Sequence, residues 1–367
     1  MSLDSTNNMT TTDSSGVLLV NIGTPEEATL PAVRRYLRQF LSDPKVLNIP
    51  SLVRWILVNL IIVPFRAPKS LHAYQAVWTK EGSPLLAITR RLVNKLNTKA
   101  GSRYKFEIGM RYAKPSIEDG VKRLIEQGCR EITVLPLYPQ YSDSATGSSI
   151  EESKRVFKKL IDEQKASNSA EAVSGSGIKL KITQDFYELP SFVEAQAALV
   201  QIADSSFKAD HVLMSYHGLP ESHVKATDPS GRHCLASGNC CDSIGVNNQK
   251  CYRAHSFATS RLLAKKLGLS QDQYSVSFQS RLSGPPWIRP FTDLILTDLR
   301  AKGFKRLLVV CPSFVIDCLE TLEEIGMRCR EDWQELGGED FTLVPCVNDS
   351  ELFLECVQDL VVSAKEC

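Results

Sequence analysis

Short apolar runs separated by amphipathic stretches recur along this 367-residue chain. Runs such as Val17-Leu-Leu-Val and Ile132-Thr-Val-Leu are apolar at every position, which suits strands of a parallel sheet covered by helices on both faces. Strands are expected near 16–22, 105–111, 131–137 and 179–185, and again near 211–217, 274–280, 306–311 and 341–346. Between them lie helical patterns, including Ile117 to Gln127 and Pro290 to Ala301, each closed by a glycine, Gly128 and Gly303, in the C-cap position.

The two sets of runs resemble each other. Val17-Leu-Leu-Val-Asn-Ile-Gly-Thr-Pro25 matches Val212-Leu-Met-Ser-Tyr-His-Gly-Leu-Pro220 with Gly and Pro in register. Gly128-Cys-Arg-Glu-Ile-Thr-Val-Leu matches Gly303-Phe-Lys-Arg-Leu-Leu-Val-Val, a register that sets Thr146 opposite Thr321. Near the ends, Glu188 to Glu194 matches Asp349 to Glu355. Three matches in one order imply duplication, and the expected fold class is α/β: two doubly wound, Rossmann-like parallel-sheet domains facing a cleft. The expected boundaries are a disordered tail over 1–15, a first domain over 16–188, a second over 189–348, and a last helix over 349–367 that packs back across the first domain. A Ser/Ala/Gly-rich stretch, 165–177, reads as a mobile surface loop.

Composition narrows the partners. A net charge of +1 gives no long-range field for nucleic acid or an anionic membrane, so small molecules are the expected ligands. The first 15 residues contain no Lys or Arg, unlike a signal or transit peptide, and a cytoplasmic protein is expected. The apolar run Trp55 to Phe65 is about half the roughly 20 residues that a span requires. With Asn59 and Pro64 inside it, the run is expected not to cross a bilayer. It reads as a buried helix or as an apolar lip over 52–65 that makes peripheral membrane contact.

Chemistry concentrates just past two strands, where open α/β sheets bind ligands. The strand from His211 ends in His217-Gly-Leu-Pro220. The strand Arg306-Leu-Leu-Val-Val-Cys-Pro is followed by Asp317, Cys318, Glu320 and Glu324. An imidazole titrates near neutral pH and can accept a proton. Carboxylates hold a borderline divalent ion in exchangeable contact where several thiolates would trap it. At i,i+4 spacing, Glu320 and Glu324 share a helix face.

Four of the eleven cysteines, Cys234, Cys240, Cys241 and Cys251, form a C-x5-C-C-x9-C pattern in a Gly/Ser/Asn-rich segment over 229–251. Cytosolic thiols rarely pair as disulfides, and four together suit a [2Fe-2S] cluster or a structural Zn2+. Walker and dinucleotide phosphate loops are missing, which excludes nucleotide-driven and hydride-transfer chemistry of those kinds.

From residue 16 onward the chain resembles the ferrochelatases. The likeness rests on Asn21-Ile-Gly-Thr-Pro, Glu81-Gly-Ser-Pro-Leu-Leu, Gly109-Met-Arg-Tyr, Tyr138-Pro-Gln-Tyr-Ser, the His217 motif, Gly284-Pro-Pro-Trp-Ile and the segment Asp317 to Glu324. It implies a lyase that inserts Fe2+, as substrate, into protoporphyrin IX with release of two protons. By this resemblance His217 is the metal ligand or proton acceptor, Glu320 pairs with it across the pocket, and Asp317 and Glu324 complete the acidic set. Arg66, Tyr74, Ser83, Arg111 and Tyr112 become polar anchors, and Tyr138, Tyr141 and Trp287 line the ring. The resemblance favours [2Fe-2S] over Zn2+, because some bacterial members carry a cluster in this internal segment. Cys318 stands where many relatives have His, and Arg328 falls where some continue the acidic line. The competing readings are a cobalt, nickel or coproporphyrin chelatase and, as a non-enzyme, an iron or haem sensor using the four-Cys site.

Overall fold

All eight runs read as strands form strands, in two sheets of the same topology. The computed structural model describes residues 14–166, 178–282 and 284–366. The expected tail up to residue 13 and the expected loop from residue 167 to 177 lie outside the described residues, as does Cys367. In the first half the strands are β1 (Ser15–Gly23), β2 (Tyr104–Tyr112), β3 (Glu131–Pro136) and β4 (Lys179–Ile182). In the second they are β5 (His211–His217), β6 (Tyr274–Gln279), β7 (Arg306–Val310) and β8 (Asp340–Leu343). The orders are β2-β1-β3-β4 and β6-β5-β7-β8, every one of these pairs being parallel. The duplication seen in the sequence is therefore a duplication of topology.

This order fixes where a ligand can sit. A chain that winds outward from β1 to β2 and then returns past β1 to β3 leaves a crevice at the C-terminal ends of β1 and β3. The second half repeats it between β5 and β7. His217 is the last residue of β5, and Ser313 follows β7 closely enough that the His217 N–H donates to the Ser313 hydroxyl at 3.1 Å. Gly23, at the matching end of β1, has φ +107, and a Cβ there would lie 1.9 Å from the Tyr112 carbonyl oxygen. Only glycine lets β1 close on β2 at that point.

The last helix, Glu351–Val362, packs against the helix Pro190–Phe207 and the helix Pro84–Ala100 of the first half. Phe353, Leu354 and Val357 share one core with Val17, Leu19, Leu92 and Phe106. A short strand, β9 (Lys365–Glu366), pairs antiparallel with β4. The other face of the second sheet holds a core in which Met214, Tyr216 and Phe278 meet all four clustered cysteines.

The apolar run near the N-terminus departs from expectation. Pro64 does not end it. One helix continues from Ser51 to Val77 for 27 residues, long and apolar enough by composition to cross a membrane. Its middle, Leu57–Ile62, is π-helical. Widening the turn just ahead of Pro64 accommodates a residue that has no N–H to donate and whose ring crowds the preceding turn. Val58, Val63, Ala67 and Tyr74 are buried against the helix Leu30–Leu41, while Leu52, Trp55, Leu60, Ile61 and Phe65 are each at least half exposed. The run is thus an apolar surface on an anchored helix, not a core element.

Candidate active site

His217 has one ring nitrogen committed and one available. Its Nδ1 stands 2.6 Å from the Gly218 carbonyl, which can only accept, so the proton of the neutral ring sits on Nδ1 and Nε2 keeps its lone pair. The turn that makes this contact requires Gly218, because a Cβ there would come within 2.6 Å of the Gln279 carbonyl. Trp287 packs beside Gly218, and its neighbour Ile288 donates to the Leu219 carbonyl at 3.0 Å. Trp287 is buried with no partner for its indole N–H among the described residues, as an aromatic wall would be. Phe314 meets the His217 ring edge-on at 6.2 Å.

The carboxylates lie on a π-helical stretch, Glu320–Cys329, which continues as an α-helix over Arg330–Glu335. Glu324 is gripped by Ser280: its Oε1 accepts the Ser280 N–H at 2.8 Å and its Oε2 accepts the hydroxyl at 2.6 Å. Burial raises the Glu324 pKa above the ordinary carboxylate range. The Ser280 bonds and the His217 charge oppose that rise, and the Glu320 charge reinforces it. Beside Glu324 lies a hollow of about 380 Å³ whose lining includes Arg281, Asp293, Arg328 and Asp332. Arg328 is tied to Glu323 through two bonds of 2.9 Å, so the cation that replaces a carboxylate in this line is itself neutralised.

Glu320 faces the first half of the molecule. Its carbonyl accepts from Gln279 at 2.8 Å, its carboxylate bonds the Cys318 thiol, and its charge reaches Tyr36 and Tyr74. The pKa of Tyr74 is pushed well up by burial, then by the Glu320 charge, and that of Cys318 by burial, then by the charge of Glu320 and the bond to it. Cys318 is thereby a neutral thiol bonded to the carboxylate. Tyr74 meets Tyr36 edge-on at 6.4 Å, and Thr24 donates to the buried Ser83 at 2.8 Å. Tyr74 and Ser83 thereby share Thr24 as a partner.

Three expected site residues have other work. Asp317, placed by the sequence among the catalytic carboxylates, is buried with both oxygens bonded: Oδ1 accepts from Thr321 at 3.0 Å and Oδ2 from Asn348 at 2.7 Å. It organises the turn before the π-helix. Arg111 and Tyr112, expected as anchors, both reach Asp43, at 2.6 and 2.9 Å, and Ser148 donates to the same oxygen at 2.6 Å. Burial alone would raise the pKa of Asp43, but the bonds from Ser148, the Lys45 N–H and Tyr112, with the Arg111 charge, hold it below the usual range. Arg66 is exposed and makes no ion pair among the described residues, so it remains a free cation on the lip helix. Tyr138 lies half-buried with its hydroxyl 3.4 Å from Ser149. Tyr141 is held by its backbone and its ring, as described below. Sequence reasoning missed Tyr36, Asp43 and Ser280, which sit outside the quoted motifs; Thr24 was inside one and went unused.

The four clustered cysteines are all buried. The Cys240 and Cys241 thiols are 3.7 Å apart, and Cys251 lies against both Cys234 and Cys241. Burial raises the pKa of Cys234 and Cys240, and their neighbours' charges add to it; for Cys241 the bond with Cys251 acts first, then burial. Arg253 stands 3.1 Å from the Cys241 sulfur. Among the described residues no three His, Cys, Asp or Glu side chains close on one metal position. The four thiols form one chain of contacts, Cys240 to Cys241 to Cys251 to Cys234, a donor set whose chemistry suits either a [2Fe-2S] cluster or a structural Zn2+.

A family model described as Ferrochelatase matches residues 14–365. A ferrochelatase of Coxiella burnetii (strain CbuK_Q154) is 48% identical over 335 residues, 91% of this chain and 89% of its own length. One from Legionella pneumophila (strain Lens) is 46% identical over 348 residues, 94% of this chain and 98% of its own. Among solved structures, SirB from Bacillus subtilis with Fe3+ superposes with a TM-score of 0.52 at 11% identity, covering 95% of this chain and 94% of that one. That likeness establishes the two-sheet chelatase fold.

Proposed function

This chain belongs to the ferrochelatase family, lyases that insert Fe2+ into a porphyrin, and from that premise we propose that its porphyrin is protoporphyrin IX and its product protohaem. The observation that carries the assignment of roles is the His217 ring, with Nδ1–H fixed on the Gly218 carbonyl and Nε2 left as a base at the crevice between β5 and β7. Metallation removes two pyrrole protons and adds one divalent ion, with no change of oxidation state. Nε2 takes one pyrrole proton, passes it to solvent, and then takes the second, so that both leave as the ion enters. Glu320 and Glu324 hold the ferrous ion by oxygen contacts weak enough to release it.

The macrocycle lies between Trp287, Tyr138 and Tyr141, with propionates toward Arg66, Tyr74 and Ser83. Arg111 is charge-balanced by Asp43 and holds the wall, not the carboxylate of the substrate. The exposed face over residues 52–65 supports peripheral contact of a cytoplasmic protein with a membrane, through which a sparingly soluble porphyrin enters. Cys234, Cys240, Cys241 and Cys251 would hold a [2Fe-2S] cluster, which when bound cross-links the loop 229–251; iron insertion asks no electron of it. A steady-state assay with Fe2+ and either protoporphyrin IX or coproporphyrin tests the substrate: faster turnover of coproporphyrin would overturn the assignment.

A further inference from the structure

The four-Cys loop and the porphyrin wall meet at a residue that the reaction does not touch. His255 lies in the first turn of the helix Tyr252–Leu267, four residues beyond Cys251, and is 0% exposed. Both of its ring nitrogens are used. Nδ1 accepts the Tyr141 N–H at 3.2 Å, which places the proton on Nε2, and Nε2 donates to the Gln249 carbonyl at 2.8 Å. The ring is stacked on Tyr187 at 3.8 Å, with the Asp185 carboxylate 3.6 Å from Nδ1. The His255 N–H donates to the Cys251 carbonyl at 3.0 Å.

A second contact joins the same two segments independently. The Lys250 ammonium, next to Cys251, stands over the Tyr141 ring at 5.1 Å from its centre. Tyr141 is therefore touched by the four-Cys loop on its ring and by His255 on its backbone. The buried N–H of one loop and the carbonyl of another both need partners. A flat ring with an acceptor on one edge and a donor on the other satisfies them together, and stacking on Tyr187 removes its freedom to turn.

We infer that His255 is a positioning residue through which the four-Cys loop sets the place of Tyr141, and so the affinity of the site for porphyrin. The inference rests on Tyr141 being part of the porphyrin wall. It is independent of what the four thiols bind. It separates two routes: loop disorder reaches the enzyme at the porphyrin, whereas His217 is held by Ser313 and Gly218.

The test uses full-length wild type, His255→Ala, His255→Asn, Cys240→Ser and the Ala/Ser double variant. Porphyrin affinity is measured without iron by fluorescence, with KM for porphyrin and Fe2+ determined separately and amide exchange followed at residues 138–142. The Asn oxygen can still accept from Tyr141, but its amide is too short for Gln249, so that variant keeps the fold if Ala does not. Loss of one net hydrogen bond predicts porphyrin binding weakened about 3- to 10-fold in either His255 variant, with KM for Fe2+ unchanged. Cys240→Ser should weaken porphyrin binding in the wild-type background and weaken it by less once His255 is Ala, the remainder passing through Lys250. Additive effects, or unchanged porphyrin affinity in the His255 variants, would overturn the inference. If wild type itself bound no porphyrin, the functional reading would fall; the bridge would still stand or fail on whether Cys240→Ser speeds exchange of the Tyr141 amide.

Discussion

Ser280 holds both carboxylate oxygens of Glu324, one with its N–H at 2.8 Å and the other with its hydroxyl at 2.6 Å. Burial has already moved the Glu324 pKa upward, and these bonds act against that rise. In Ser280→Ala the hydroxyl bond is lost and the pKa climbs further, so the ionised form needed to carry Fe2+ appears only at higher pH. The acid limb of kcat/KM for Fe2+ should therefore shift toward neutrality, with the porphyrin KM unmoved. A superimposable pH profile would take Glu324 out of the metal path.

His217→Ala should abolish metallation while metal-free porphyrin still binds, because Trp287 and the other walls remain. Proton acceptance by a placed side chain contributes about 10²–10⁴-fold in rate. Near-full turnover in the variant would make His217 a structural residue.

Glu320→Gln preserves shape and removes charge. Turnover should fall across the whole range of Fe2+, with thermal stability little changed, since the residue is only half-buried. A rate equal to wild type at every Fe2+ concentration would assign the metal contact elsewhere.

Leu60→Glu and Ile61→Glu alter side chains that are 59% and 50% exposed, so folding should survive. Binding to lipid vesicles should drop and the apparent KM for porphyrin rise, with KM for Fe2+ constant. Unchanged vesicle binding in both variants would show that the apolar face serves another purpose.

Protein purified without oxygen should be red-brown and contain iron and acid-labile sulfide in equal amounts, because thiolate-to-iron charge transfer absorbs in the visible whereas Zn2+ has a full d shell. Zinc without sulfide, or full activity after all four cysteines are changed to Ser, would defeat the cluster assignment.

The strands were legible because a parallel sheet buried on both faces leaves uninterrupted apolar runs, and the shared register of Gly23 with Gly218 disclosed the repeat. From that repeat alone His217 could be placed at a strand end. The setting of Asp317 was not legible because a carboxylate's neighbours are a tertiary fact: nothing local announces that Asn348, 31 residues on, bonds one of its oxygens. The setting of Arg111 was hidden for the same reason, its partner Asp43 lying 68 residues away. The length of the apolar helix was hidden differently, since the run was counted only from Trp55 to Phe65 whereas the helix continues past Pro64 and Pro68 to Val77. The four cysteines could be grouped by spacing, but their pairwise contacts depend on where the loop folds.

The helix Glu351–Val362 and the strand Lys365–Glu366 complete the core and sheet edge of the half that was synthesised first. A nascent chain emerging from the ribosome must therefore carry an unfinished first half, with Val17, Leu92 and Phe106 lacking their final cover, until Glu351 to Glu366 are translated. The protein is thus obliged to mature as one piece despite its two similar halves, and a premature stop a few dozen residues short should yield a species held by chaperones or proteases, not a working fragment.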